Sequence, residues 1–131
     1  MITNNYRILE NIKSNLKMVR EQLDSENRIN NRHFITDRLI GDIAGRLDIG
    51  AKRYGEEVPI EEDDGRDMGL EAYEELCDAA VYLSSLTLKL KQYNGDDESL
   101  QKEIVAINSV FFNTLYQTRI FLNSYESKEI N

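Results

Sequence analysis

Four acids near the middle of the chain have the strongest claim to chemistry. They are Glu71, Glu74, Glu75 and Asp78, in the string Glu71-Ala-Tyr-Glu-Glu-Leu-Cys-Asp78. On an α-helix, at about 100° per residue, Glu71, Glu75 and Asp78 fall within about 40° of one line, and Glu74 lies beside them. Like charges one turn apart repel by a few tenths of a kcal/mol, so water or a cation must offset them. The same line continues with Tyr82, Ser85 and Leu86 rather than with Lys, Glu or Gln. That change of character places the acids at the mouth of a packed cleft. Carboxylates so spaced suit Mg²⁺ or Mn²⁺, hard cations that take oxygen ligands and retain waters and substrate phosphates. The competing reading is a solvated first turn whose acids complement the helix dipole.

The other reactive residue types offer less. His33 is the only histidine and sits in a polar connection, which points to an exposed side chain and excludes a multi-histidine metal site. Cys77 is the only cysteine, so an intrachain disulfide and a cysteine-based zinc site are both excluded. Burial and neighbouring acids both make a thiol a poor nucleophile, so Cys77 reads as core. The segment Glu56 to Asp67 contains seven acids and the sole proline, Pro59. It lacks the spacing of an EF-hand and reads as a solvated loop or a lid.

Four helices are expected to position these residues. Ile8, Leu9, Ile12, Leu16, Val19 and Leu23 recur at spacings of three and four, which predicts a helix over about 5–26. A second helix is expected over 36–54, capped by Thr36 and stopped at Gly55. Its glycines Gly41, Gly45 and Gly50 imply close approach of a neighbouring helix or room for a ligand. After the acidic loop, 56–66, comes a third helix over about 67–93. It is apolar nearly all round from Leu76 to Leu90, as a helix buried on most sides would be. Asn94 to Asp97 reads as a turn. A fourth helix over about 98–125 carries the stripe Leu100, Ile104, Ile107, Phe111, Leu115 and Leu122, with 126–131 expected to fray. Its aromatic residues occupy more than one face, which suggests a helix-to-helix interface.

Composition narrows the function classes. The chain has 131 residues, one domain's length, with 40% apolar and 31% charged residues and no tryptophan. The expectation is a single all-α domain, a four-helix bundle completed by oligomerisation. Sixteen basic against 24 acidic residues give a net charge of −8, without a basic stripe for a nucleic acid polymer. No apolar run approaches the ~20 residues of a membrane span. The polar N-terminus lacks a signal peptide's apolar core, so a cytoplasmic compartment is expected.

A second string completes the picture. Arg46-Leu-Asp-Ile-Gly-Ala-Lys-Arg-Tyr-Gly55 precedes the acidic loop, and Glu71 to Leu83 follows it. This order resembles the all-α nucleoside triphosphate pyrophosphohydrolases of the MazG-like superfamily, and in particular the small members common in phage genomes. Those often show a K-R-Y-G helix end, a variable loop, then E-E-x-x-D and an apolar Y-L. The resemblance covers roughly Ile35 to Leu90. It implies a homodimeric or homotetrameric bundle whose acids hold Mg²⁺ against a nucleoside triphosphate, releasing monophosphate and pyrophosphate. Glu74, Glu75 and Asp78 match the acidic motif, with Glu71 a fourth member and Asp48 a contributor from the preceding helix. One carboxylate, Glu74 or Glu75, would act as general base. Lys52 and Arg53 would contact phosphates, and Tyr54 or Tyr82 would stack on the base. The E-E-x-x-E usual on the preceding helix is replaced by scattered acids, Asp37, Asp42 and Asp48. Two other readings stand beside the enzyme: a nucleotide-sequestering oligomer without turnover, and a purely structural helical interaction protein.

Overall fold

A computed structural model describes residues 2–25, 32–60 and 66–130, except the side chains at 24–25, 32–34 and 126–130. The described residues form four α-helices and no strand: α1 Asn4–Ser25, α2 Arg32–Tyr54, α3 Met68–Asn94 and α4 Glu98–Ile130. The chain divides into two compact units, Met1–Arg66 and Asp67–Asn131. Each is a pair of helices.

In the first unit α1 packs on α2. Ile8, Leu9, Ile12, Leu16 and Leu23 of α1, with Ile40, Ile43, Ala44, Leu47 and Ala51 of α2, are half-buried apolar positions. α2 and the segment after it are tied to the first turn of α1. The Asn5 amide N–H donates to the Glu57 carboxylate at 3.1 Å, Asn4 Nδ2 to the Val58 carbonyl at 3.3 Å, and Asn5 Nδ2 to the Leu47 carbonyl at 3.4 Å. A carboxylate there both satisfies an orphan N–H and complements the helix dipole. Gly55 ends α2 with φ +75°, a conformation that favours glycine.

The second unit is a hairpin of α3 on α4. Asp67 caps α3, its carboxylate accepting from the Leu70 N–H at 3.0 Å, and Asp97 caps α4 through the Leu100 N–H at 3.0 Å. The more buried positions follow an alternating three-and-four spacing on both helices. On α3 these are Gly69, Tyr73, Leu76, Ala80, Leu83, Thr87 and Leu90; on α4 they are Ile104, Asn108, Phe111, Leu115, Thr118 and Leu122. This is the seam of an antiparallel coiled coil. Ile104 and Leu122, 7% and 5% exposed, are the two buried hydrophobic residues among those described. One seam layer is polar: Asn108 Nδ2 donates to Thr87 Oγ1 at 3.4 Å, and Thr87 Oγ1 donates to the Leu83 carbonyl at 2.8 Å. At the far end a Cβ on Gly69 would stand 2.9 Å from Leu122 Cδ2, so glycine lets the two helices close there.

Several expectations shift. The second helix begins at Arg32, so Thr36 lies inside it rather than at its start. A polar sequence is compatible with helix when the following turns pack, and the stretch 25–32 gave no breaker to stop it. The fourth helix continues to Ile130 instead of fraying from 126. Residues 126–130 contain neither Gly nor Pro, so nothing in them ends the helix. Gly41, Gly45 and Gly50 have no atom within 4 Å of where a Cβ would stand, so no described neighbour approaches closely there. The acids at 61–64 and the connection at 26–31 lie outside the described residues, as does the side chain of His33.

Candidate functional site

The seam of α3 fixes where its acids go. Glu71, Glu75 and Asp78 lie on the side of α3 opposite the residues that meet α4, because their line is about half a turn from that of Tyr73, Ala80 and Thr87. Glu74, Glu75 and Asp78 are exposed and Glu71 is half-buried. Tyr82, next on the line, is 72% exposed, and Ser85 and Leu86 are exposed too. The packed cleft expected behind the acids is therefore not built by α3 and α4 themselves. α4 takes the opposite face, and the aromatic and apolar continuation stays open. Among the described residues, no three His, Cys, Asp or Glu side chains converge to hold a metal ion. The four acids come from one helix, so they can present oxygens to a cation from one side only.

The remaining sequence candidates stand together at the end of α2, in the other unit. Asp48 and Lys52 pair with each other, Nζ to Oδ2 at 3.1 Å, one turn apart. The expected metal ligand and the expected phosphate contact are thus mutual partners at rest. Arg53 and Tyr54 form a second local pair, with the guanidinium carbon 5.6 Å from the ring centroid. Tyr54 is 71% exposed, carried out by the turn at Gly55. Of the other scattered acids, Asp42 accepts from Arg38 at 3.1 Å. Cys77, expected in the core, is half-buried beside the α3–α4 seam.

Sequence reasoning missed the polar layer of Thr87 and Asn108 and the contact of Arg119 with Tyr73. The Arg119 guanidinium carbon is 4.9 Å from the Tyr73 ring centroid, and Arg119 also donates to Asn123 Oδ1 at 3.0 and 2.6 Å. The four-residue spacing of Arg119 and Asn123 is visible in the sequence. The Tyr73 contact needs the register of α3 against α4, which only the seven-residue repeat of both helices would have supplied.

No helix is long and apolar enough to cross a membrane among the described residues. Compared with protein-family models, with curated proteins and with solved structures, the chain has no match.

Proposed function

We propose that this protein is a Mg²⁺-dependent nucleoside triphosphate pyrophosphohydrolase of the MazG-like type. It would cleave an NTP or dNTP to monophosphate and pyrophosphate as a helical oligomer in the cytoplasm. The observation that most supports the reading is the acidic line of α3, which stands clear of α4 and runs into the exposed Tyr82 ring. A line of oxygens beside an aromatic face matches the two ends of a nucleotide. Mg²⁺ (or Mn²⁺) bound there would screen the triphosphate charge and acidify a water. Glu75 and Asp78, with Glu71, are assigned to the cation, and Asp48 of α2 is a further candidate ligand. A carboxylate left uncommitted, Glu74 or Glu75, takes the proton of the attacking water. Lys52 and Arg53 neutralise phosphate oxygens, and Tyr54 or Tyr82 stacks on the base. The pairing of Lys52 with Asp48 does not oppose this. An exposed pair one turn apart is worth a few tenths of a kcal/mol, so it opens readily to a stronger phosphate or cation contact.

A second reading is nucleotide sequestration without turnover. It is favoured by the lack of three converging metal-ligand side chains among the described residues. Chromatography of NTPs and dNTPs incubated with the protein and Mg²⁺ distinguishes the two. Monophosphate and pyrophosphate appearing in equal amounts support hydrolysis, and Glu75→Gln or Asp78→Asn then abolishes it with the helical circular dichroism unchanged. Intact nucleotides at high protein concentration overturn hydrolysis. Tight binding under those conditions supports sequestration.

A further inference from the structure

Both flanks of the α3–α4 hairpin's seam carry exposed apolar side chains. On one flank of its seam, Val81, Leu88 and Phe112 border an open groove of about 600 Å³ floored by Ala80, Ser84 and Ser85. On the other flank Leu86, Ile107 and Val110 are at least half exposed.

The first flank has a self-complementary order. Along it α3 presents Glu74, Cys77, Val81, Ser84, Leu88 and Lys91 at alternating spacings of three and four. A second α3 laid antiparallel, about a two-fold axis between Val81 and Ser84, sets Glu74 against Lys91, Cys77 against Leu88 and Val81 against Ser84. Each pair occurs twice. Opposite charges meet at both ends, and every inner layer sets a large side chain against a smaller one. Small residues in the floor of the groove let the two backbones approach, and Phe112 closes its edge.

We propose that a second copy of this chain docks on this flank, α3 against α3 in antiparallel register, in an isologous interface. The proposal deepens the oligomeric part of the function given above and rests on it; of the residues assigned to chemistry there, it engages Glu74. It names the face, the register and the paired residues.

The native chain has a single thiol, Cys77, which makes the register directly testable. In a Leu88→Cys variant, positions 77 and 88 of one α3 are about 16 Å apart along the helix, beyond disulfide reach. A bond between them therefore joins two chains. With oxidised glutathione as oxidant, most Leu88→Cys chains should run as a covalent dimer on a non-reducing gel. The wild type and a Cys77→Ser/Leu88→Cys variant should run as single chains. Light scattering on the unoxidised wild type should give at least twice the chain mass. Ser84→Arg should reduce that to the chain mass with helical content retained, since Ser84 is exposed within its own hairpin. A multimeric mass without the 77–88 cross-link overturns this face and leaves the oligomeric reading standing. A wild type at the chain mass overturns both.

Discussion

At the scale of single residues, strength and function separate. Lys52 and Asp48 are both largely exposed, so their 3.1 Å pair contributes only a few tenths of a kcal/mol to stability. Lys52→Ala should leave the thermal midpoint within about 2 °C of wild type. If the ammonium contacts a triphosphate, the same variant should weaken nucleotide binding about tenfold, the equivalent of one modest charge-assisted hydrogen bond. Titration calorimetry checks this against Lys17→Ala, an exposed lysine of α1 with no assigned role. Equal losses in the two variants overturn the phosphate assignment. The caps behave in the opposite way. Asp97 accepts the Leu100 N–H, so Asp97→Ala should cost about 1 kcal/mol in urea unfolding with nucleotide binding unchanged. Residue chemistry of this local kind was legible. The turn Asn-Gly-Asp-Asp placed Asp97 before a helix, and Gly55 marked a helix end. Thr36 was misread because a capping residue type inside a helix looks the same in sequence as one at its start, and the residues before it carry no Gly or Pro.

At the scale of helices, the seam decides which apolar residues matter. The sequence stripe of α4 mixes two populations. Ile104, Phe111, Leu115 and Leu122 belong to the seam, whereas Leu100 and Ile107 stand on its flank. Truncating a seam residue leaves a cavity as well as losing transfer free energy. Ile104→Ala should therefore cost about 2–3 kcal/mol in urea unfolding, the lower part of the range for such changes because the hairpin is open on its flanks. Ile120→Ala, at a site 53% exposed on the outer side of α4, should cost under about 0.5 kcal/mol. Similar losses at both positions would show that the seam is placed wrongly. The helices themselves were legible because each repeats apolar residues over about four turns or more. The direction of α3 was not legible, since a helix apolar nearly all round gives no unique face. Its partner's pattern and Gly69, closed on Leu122, resolve the ambiguity. The same ambiguity hid the fact that the acids point away from α4, so the expectation of a packed cleft came from reading α3 alone.

At the scale of the whole chain, the net charge of −8 is unevenly spread. Residues 67–131 hold eleven acids and five basic residues, whereas residues 1–66 are nearly balanced. Repulsion within the acidic half destabilises it, and any salt should relieve that by screening. A divalent cation bound at the α3 acids would add a separate, saturable effect. Binding to the folded state alone, at ten times its dissociation constant, contributes about 1.4 kcal/mol, or roughly 5 °C in thermal midpoint for a chain of this size. Melting in MgCl₂ and in NaCl at matched ionic strength separates the two contributions. Wild type should show the extra rise in MgCl₂, saturating with concentration. In Glu75→Gln and Asp78→Asn the rise in NaCl should persist and the magnesium excess should fall to near zero. Equal midpoints in the two salts for wild type would mean that the four acids are a solvated face whose charge is merely screened. The readout needs no turnover, so it tests the cation assignment under the hydrolytic and the sequestering readings alike.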